Sequence, residues 1–183
     1  MGELAKGKLE LIIGNMFSGK STELIRRFNR EKSINKKIIV INYIDDNRYS
    51  NDSISTHDSR MVKCIKLKKL CDLDYHTIIN NDSFFIDEGQ FFSDLYNMVS
   101  HLVDFYKKHV VVSGLDGDFK RKPFGQILEL IPICDTVDKL RAYCIYCKNG
   151  EYAPFTKRIF NSKDIIDIGG SDKYVPVCRL HYQ

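Results

Sequence analysis

Eight residues near the N-terminus have the types and spacing of a phosphate-binding loop. They match the pattern G-x-x-x-x-G-K-[ST] without a mismatch: Gly14, Asn15, Met16, Phe17, Ser18, Gly19, Lys20 and Ser21. Glycine lets the backbone curl so that several N–H groups point at one anion. In such loops the lysine reaches the β- and γ-phosphates of a nucleoside triphosphate, and the last hydroxyl binds Mg²⁺. The segment therefore predicts a site for ATP and Mg²⁺.

Two adjacent carboxylates follow a short apolar segment in the middle of the chain. Asp87 and Glu88 come directly after residues 83–86, which have the composition of a buried strand. This arrangement is typical of a Walker B element, in which the aspartate helps to hold Mg²⁺. Because ligands bind at the carboxyl ends of strands in open α/β sheets, we expect Asp87 to lie near the phosphate-binding loop.

The C-terminal part contains two pairs of metal-ligand residues. Cys144 and Cys147 form a C-x₂-C pair, and Cys178 and His181 form a C-x₂-H pair. A closed Cys₃His tetrahedron is typical of structural zinc, which leaves no open position for catalysis. Redox pairing of Cys144 with Cys147 is the alternative, and the second pair of ligands favours Zn²⁺.

Apolar segments at regular intervals predict the elements that position these residues. Residues 9–13 precede the phosphate-binding loop and residues 22–35 follow it with a helical pattern, which begins a βαβ-like unit. The continuous apolar segments 38–41 and 110–112 are typical of strands buried on both faces. One helical stripe predicts a helix over residues 93–107 with Ser93 as its N-cap: Leu95, Met98, Val99, Leu102, Val103 and Tyr106.

These elements predict an α/β fold with a P-loop (RecA-like) parallel sheet and helices on both faces. A small C-terminal zinc-ribbon domain carries a lasso-like loop between its two ligand pairs. We place the P-loop nucleotide-binding domain at residues 1–136 and the zinc-ribbon domain with its loop at residues 137–183.

Composition excludes several classes of protein. The 183 residues are 43% hydrophobic and 28% charged, which is ordinary for a soluble globular protein. The net charge of +4 is too small for a typical nucleic-acid-binding protein. No apolar run approaches the ~18 residues that a membrane span needs. We expect a cytoplasmic protein that binds neither nucleic acid nor membrane, with its six cysteines reduced.

Taken together, the motifs resemble those of one family over nearly the whole chain. GNMFSGKST, DNRYS, DEGQFF, LDGDFKRKPFG, the two ligand pairs and IGGSDKY occur in the order found in the type II thymidine kinases. This is the cytosolic family of animals, many bacteria and poxviruses. The resemblance implies transfer of the ATP γ-phosphoryl group to the 5′-hydroxyl of thymidine, or of deoxyuridine, to give dTMP for DNA precursor salvage.

The resemblance also implies roles for individual residues. Glu88 would be the catalytic base. The ATP and Mg²⁺ site would comprise the phosphate-binding loop together with Asp46, Arg48, Asp87 and Gln90. The nucleoside pocket would be built from Met16, Phe91, Leu115, Phe119, Phe124, Thr156, Ile165, Asp167, Ile168, Gly169 and Tyr174. The zinc ligands would be Cys144, Cys147, Cys178 and His181. The family further implies a homotetramer and feedback inhibition by dTTP.

Two positions depart from the family pattern. Asn15 replaces the usual proline of the phosphate-binding loop, which we expect to matter little because this position supplies backbone. Asp167 lies within the base-binding segment, where an apolar residue is usual, and bears on affinity or base preference if its side chain faces the pocket.

Two other functional classes remain open from the residues alone. A P-loop ATPase with a zinc ribbon could be a nucleic-acid-dependent motor, in which Glu88 activates water. A nucleotide-binding scaffold without turnover is the other, although it leaves the Asp87–Glu88 pair unexplained. The motor is disfavoured by the modest charge and by the absence of helicase-type motifs.

Overall fold

The computed structural model describes residues 6–46, 53–55, 61–160 and 172–183. Its strands are β1 (Lys8–Gly14), β2 (Ile38–Tyr43), β3 (Ser53–Ser55), β4 (Met61–Lys63), β5 (Ile65–Leu67), β6 (Ser83–Ile86), β7 (His109–Gly114), β8 (Thr136–Leu140), β9 (Ala142–Tyr143), β10 (Tyr152–Ala153), β11 (Phe155–Arg158) and β12 (Tyr174–Val177). Its α-helices are α1 (Lys20–Lys32), α2 (Tyr75–Asn80), α3 (Leu95–Ser100) and α4 (Arg179–Tyr182). There are also 3₁₀ segments at Leu70–Asp72, Gly89–Phe91 and Ile127–Ile133, and a π-helical segment at His101–Phe105.

Six strands form one sheet in the order β5-β2-β6-β7-β1-β8, and every neighbouring pair is parallel. The central strands carry apolar residues at successive positions, so both faces of the sheet need cover. Leu11 lies opposite Val112 on one side and Val137 on the other. Because all six strands run the same way, their carboxyl ends meet at one edge.

Helices cover both faces of this sheet. Ile12 packs in a core with Leu24 and Ile25 of α1. The neighbouring residues Leu11 and Ile13 belong to a larger core on the other face, which includes residues of α2 and α3. This two-sided burial confirms the predicted α/β class with helices on both faces.

The C-terminal residues form a small unit of two strand pairs. β9 pairs with β10 and β11 pairs with β12, both antiparallel. Its core includes Ala142, Ala153 and Val177. The last strand of the large sheet, β8, crosses the predicted domain boundary between residues 136 and 137, and the division into two domains stays a prediction.

The predicted helix over residues 93–107 is shorter and less regular than its apolar stripe indicates. α3 ends at Ser100 and continues as a π-helix over His101–Phe105, with the Tyr106 N–H bonded to the His101 carbonyl. The N-cap is Asp94, so the prediction of Ser93 is wrong. The Asp94 carboxylate accepts from the backbone N–H groups of Leu70 and Cys71, which fixes it at this turn. In the described ranges, no helix has both the length and the apolar character of a bilayer span.

An ion cluster lies at the opposite edge of the sheet, where β1 and β7 begin. His109 is bonded to Glu31 at the end of α1, and its Nε2 lies 3.4 Å from Glu10 Oε1. Burial of the His109 ring opposes protonation, but its contacts with the Glu10 and Glu31 carboxylates prevail and raise the pKa of His109 to about 9. The contact with His109 in turn holds the pKa of Glu10 well below its ordinary value, and Arg27 donates to Glu10 at 2.6 Å.

The raised pKa of His109 predicts a pH-dependent contribution to stability. Protonated His109 stabilises the fold fully below its unfolded-state pKa of about 6.5, and this stabilisation is lost as the pH rises through about 9. His109→Gln should lower the free energy of unfolding by about 1–2 kcal/mol at pH 6, a value reduced for the partial exposure of the ring. Urea unfolding at pH 6 and pH 9.5 measures the difference, which should shrink at the higher pH.

His76→Gln is the matched control, because His76 is exposed on α2. It should leave the free energy of unfolding unchanged at both pH values. An equal loss for His109→Gln at both pH values would show that the ring contributes by packing and not by its charge.

Candidate active site

The phosphate-binding loop joins β1 to α1 at the carboxyl edge of the sheet. β1 ends at Gly14, where a Cβ would lie 2.4 Å from the Leu140 carbonyl oxygen, so this close approach requires glycine. Gly19 precedes α1 with a φ of 86° and contributes no side-chain cap. The first N–H groups of α1 therefore have no side-chain acceptor at the N-cap, and together with the helix dipole they suit an anion.

Lys20 and Ser18 both turn back onto the loop itself. Lys20 Nζ donates to the Asn15 carbonyl oxygen at 2.7 Å, and Ser18 Oγ donates to the same oxygen at 2.8 Å. The Lys20 side chain is only 9% exposed, which is rare for lysine unless its charge is satisfied. The Lys20 ammonium therefore lies at the loop that would bind an anionic ligand.

The two sequence-predicted carboxylates lie beside this loop. The Ser21 hydroxyl donates to Asp87 Oδ2 at 3.0 Å, which connects α1 to the end of β6. Asp87 and Glu88 are both buried. Glu88 has a φ of 55°, a left-handed backbone conformation that non-glycine residues adopt rarely and that is often found at functional sites.

Asp46 occupies the same edge after β2. It is buried and accepts from Asn42 Nδ2 at 3.1 Å, and Lys66 donates to its backbone carbonyl. In the sheet β2 is paired with β6, and Asp87 is the first residue after β6. Asp46 and the Asp87–Glu88 pair therefore follow neighbouring strands, as predicted for residues of one site.

Aromatic side chains of the predicted pocket and their neighbours form two groups. The rings of Tyr43, Phe91 and Phe124 make one group, with Phe91 centred 5.3 Å from Tyr43 and 5.5 Å from Phe124. In the other, the Arg158 guanidinium lies 3.8 Å from the Phe119 ring centre and donates to the Tyr174 hydroxyl at 2.9 Å. Such rings can enclose a planar ligand.

The small C-terminal unit is bonded directly to the phosphate-binding loop. The Met16 N–H donates to Thr156 Oγ1 at 3.0 Å. Asn15 is 3% exposed, and its side chain reaches two strands of the small unit. Its Nδ2 donates to the Phe155 carbonyl at 3.3 Å, and its Oδ1 accepts from the Ala142 N–H at 3.4 Å. The expectation that residue 15 supplies only backbone is wrong, because its amide connects the two parts of the chain.

The four predicted zinc ligands converge in the small unit. Their ligand atoms all lie within 4.8 Å of one another. The Sγ atoms of Cys147 and Cys178 are 3.8 Å apart, and the three sulfurs lie 3.3–3.5 Å from His181 Nδ1. A tetrahedral zinc ion with ordinary bond lengths requires about 3.8 Å between sulfurs and about 3.6 Å between sulfur and nitrogen. The cluster therefore fits Zn²⁺.

Comparison with known proteins identifies the family of the chain over nearly its whole length. A family model described as "Thymidine kinase" matches residues 7–182. The chain is 44% identical to the thymidine kinase of Vaccinia virus (strain Western Reserve) over 176 residues, which cover 96% of this chain and 97% of the relative. It is 43% identical to that of Myxoma virus (strain Uriarra) over 177 residues, 96% of each chain. The chain belongs to the thymidine kinase family. The resemblance stated from its motifs is confirmed.

Most residues that the resemblance implies lie at this edge or in the small unit. Arg48, Ile165, Asp167, Ile168 and Gly169 lie outside the described residues. Leu115 directly follows β7, and Gln90 lies in the 3₁₀ turn after Glu88. The roles of all these residues stay predictions, although the thymidine kinase family membership of the chain is established.

Sequence reasoning missed two residues that contact side chains of the predicted nucleoside pocket. Tyr43 packs on Phe91, and Arg158 packs on Phe119. Arg158 comes two residues after Thr156 in a strand, so strand alternation puts both on one face. That spacing could have identified Arg158, whereas Tyr43, the last residue of β2, has no local sequence signal.

Removing one ligand should abolish metal binding by the cluster. Cys144→Ala leaves three ligands, and we expect zinc to fall from one ion per chain to about a tenth of that or less, because a structural site needs its full tetrahedron. Elemental analysis after dialysis measures the metal. Cys71→Ala is the control, because Cys71 is exposed and outside the cluster. Unchanged zinc in the Cys144 variant would contradict the ligand assignment.

Removing the Asn15 amide should loosen the junction between the loop and the small unit. Asn15→Ala deletes two long hydrogen bonds, so we expect a loss of about 1 kcal/mol and a fall in Tm of about 2–4 °C. The Ala142 amide should exchange with solvent faster, as measured by hydrogen exchange.

Asn80→Ala is the control, since its amide donates to the His76 carbonyl within exposed α2. It should leave exchange at Ala142 unchanged. If the Ala142 amide were equally protected in wild type and in Asn15→Ala, the Asn15 side chain would not hold the phosphate-binding loop to the small unit.

Proposed function

We propose that the chain is an ATP-dependent thymidine kinase that transfers the γ-phosphoryl group to the 5′-hydroxyl of thymidine, with deoxyuridine also accepted. The observation that carries the proposal is the bonded pair Ser21–Asp87 with Glu88 beside it. It combines a phosphate-binding loop, a candidate metal ligand and a second carboxylate suited to an acceptor hydroxyl. Family membership supports the same activity.

The phosphate-binding loop would hold the triphosphate of ATP. Backbone N–H groups at the start of α1 would bind phosphate oxygens, and Lys20 would exchange its bond to the Asn15 carbonyl for the β- and γ-phosphates. Asp46 and Arg48 would complete the ATP site as the family resemblance implies. Phosphoryl transfer needs little covalent help from the protein, so positioning and charge neutralisation account for most of the catalysis.

Ser21 and Asp87 are suited to Mg²⁺. The two oxygens are hard ligands, and their separation of 3.0 Å equals the distance of about 3.0 Å between adjacent ligands of an octahedral Mg²⁺ ion. When bound, the ion would neutralise charge on the β- and γ-phosphates. The protein's own part is to hold these two oxygens at that spacing.

Glu88 would accept the proton of the 5′-hydroxyl. A carboxylate is a much weaker base than an alkoxide, so the proton should move late, once bonding to phosphorus has made the hydroxyl acidic.

The nucleoside would bind between the aromatic groups and the small unit. Phe91, Phe119, Phe124 and Tyr174 would enclose the ring, and Met16, Leu115 and Thr156 would line the pocket. Polar contacts to the base edge are expected from the segment Ile165, Asp167, Ile168 and Gly169. The zinc cluster would secure both ends of that segment, so Zn²⁺ would serve substrate binding indirectly.

The family resemblance extends the proposal beyond the single chain. A homotetramer, feedback inhibition by dTTP and a cytoplasmic location are expected on that ground. The alternative of a nucleic-acid-dependent ATPase is less well supported, because the net charge is only +4 and Thr156 of the small unit is bonded to the phosphate-binding loop.

The destination of the γ-phosphate tests the proposal. With ATP labelled at the γ-phosphate, we expect label on thymidine and on deoxyuridine and little on deoxycytidine, measured by chromatography of the products. Label released only as inorganic phosphate would favour the ATPase, and the absence of any transfer would favour the scaffold.

Replacing the proposed base separates chemistry from binding. Glu88→Gln should lower kcat for thymidine phosphorylation by about 10²- to 10⁴-fold, because general-base catalysis typically contributes that much. The Kd for ADP, measured calorimetrically, should stay within about threefold, because the phosphate-binding loop is untouched. Glu151→Gln, at an exposed position, should match wild type. Full kcat in the Glu88 variant would exclude it as the base.

A further inference from the structure

Gln90 lies between the proposed base and the start of the nucleoside pocket. It is 3% exposed and follows Glu88 by two residues, in the 3₁₀ turn Gly89–Phe91. Its amide oxygen accepts from the backbone N–H of Leu115 at 2.8 Å, and its amide nitrogen donates to Glu88 Oε2. One side chain therefore connects the turn after β6 with the loop after β7.

The chemistry of these partners fixes the orientation of the amide. A backbone N–H can only donate, so the group facing Leu115 must be the amide oxygen Oε1. The NH₂ group then faces Glu88, whose carboxylate is an acceptor in its ionised form. The flipped amide would oppose two donors at Leu115, so only one orientation satisfies both contacts.

Two glycines leave room for the side chain and the backbone of Gln90. A Cβ on Gly114 would lie 2.3 Å from Gln90 Oε1. A Cβ on Gly125, whose φ is +59°, would lie 2.1 Å from the Gln90 carbonyl oxygen. Both the backbone and the side chain of Gln90 are thus closely surrounded, as expected for a residue that must hold another group in place.

We propose that Gln90 is a positioning residue that orients the Glu88 carboxylate toward the acceptor hydroxyl. This inference rests on the proposed function, in which Glu88 is the base. It differs from the role in the ATP site that the family resemblance implies for Gln90. The amide makes both of its observed bonds within the protein, to the base and to the Leu115 backbone.

The two hydrogen bonds of Gln90 link the proposed base to the loop that follows β7. Leu115 begins the loop that carries Phe119 and Phe124 of the proposed nucleoside pocket. Because Gln90 bonds both Leu115 and Glu88, the base is held in register with the loop that would hold the acceptor. A displacement of about 1 Å in such a group can cost about 10²-fold in rate.

Gln90→Met tests the proposal, because methionine has nearly the same length and volume but neither hydrogen bond. We expect kcat for thymidine phosphorylation to fall by about 10- to 100-fold. The Kd for ADP and the KM for thymidine should stay within about threefold. A tenfold or greater rise in the Kd for ADP with kcat retained would overturn the proposal and make Gln90 a nucleotide ligand.

Gln126→Met is the matched control. Gln126 also accepts a backbone N–H with its Oε1, from Tyr96 at 3.1 Å, but it has no bond to Glu88. It should keep kcat, KM and Kd at wild-type values. If the two variants lost kcat equally, the effect would come from a lost structural hydrogen bond and the proposal would fail.

Gln90→Glu keeps the test valid if methionine prevents folding. Glutamate retains an oxygen for the Leu115 N–H but replaces the donor facing Glu88. We expect a loss of kcat similar to that of Gln90→Met, while the Leu115 amide stays protected from hydrogen exchange. Unchanged kcat in Gln90→Glu over the whole range from pH 6 to pH 9 would overturn the proposal, because a proton shared between the two carboxyl groups can restore the donor only at the acid end.

Wild-type turnover separates this inference from the proposed function. If wild type phosphorylates thymidine and the Gln90 variants change only nucleotide binding, the inference is wrong and the function stands. If wild type phosphorylates no nucleoside, the function is wrong and the inference falls with it.

Discussion

Parallel pairing of β1, β6 and β7 is the constraint on which the site depends. Because these strands run in one direction, the phosphate-binding loop after β1, the Asp87–Glu88 pair after β6 and Leu115 after β7 emerge at one edge. Apolar burial on both faces fixes that arrangement, since shifting any strand would expose part of the core. The bond between Ser21 and Asp87 at 3.0 Å is the local result of this global pairing.

The small C-terminal unit is joined to that edge by specific bonds. Thr156 accepts from Met16, and the Asn15 amide reaches β9 and β11. The cysteine and histidine ligands hold the other end of the same unit at spacings that fit zinc. A zinc ion there would reduce the freedom of a unit whose own apolar core is small. The metal would therefore act on the active site through backbone position and not through chemistry.

The sequence predicted which motifs come together in the fold better than it predicted the contacts between them. The pattern of the phosphate-binding loop, the two carboxylates and the four ligands were found because local spacing encodes them. Asn15 was misread because its partners, Ala142 and Phe155, are distant along the chain, and no local pattern encodes a contact between them. The π-helical segment after α3 was missed for a related reason. An apolar stripe indicates which residues are buried, but it does not show whether the backbone hydrogen bonds span four or five residues.

We expect the donor phosphates, the base and the nucleoside to meet at this single edge. A crystal structure with ADP, Mg²⁺ and thymidine tests it most directly. We expect the diphosphate on the loop at residues 14–21 and the thymine ring among Phe91, Phe124 and Thr156. The 5′-oxygen should lie within hydrogen-bond distance of Glu88, about 2.6–3.2 Å. Thymidine bound elsewhere, or a Glu88 carboxylate that contacts only water, would contradict the claim.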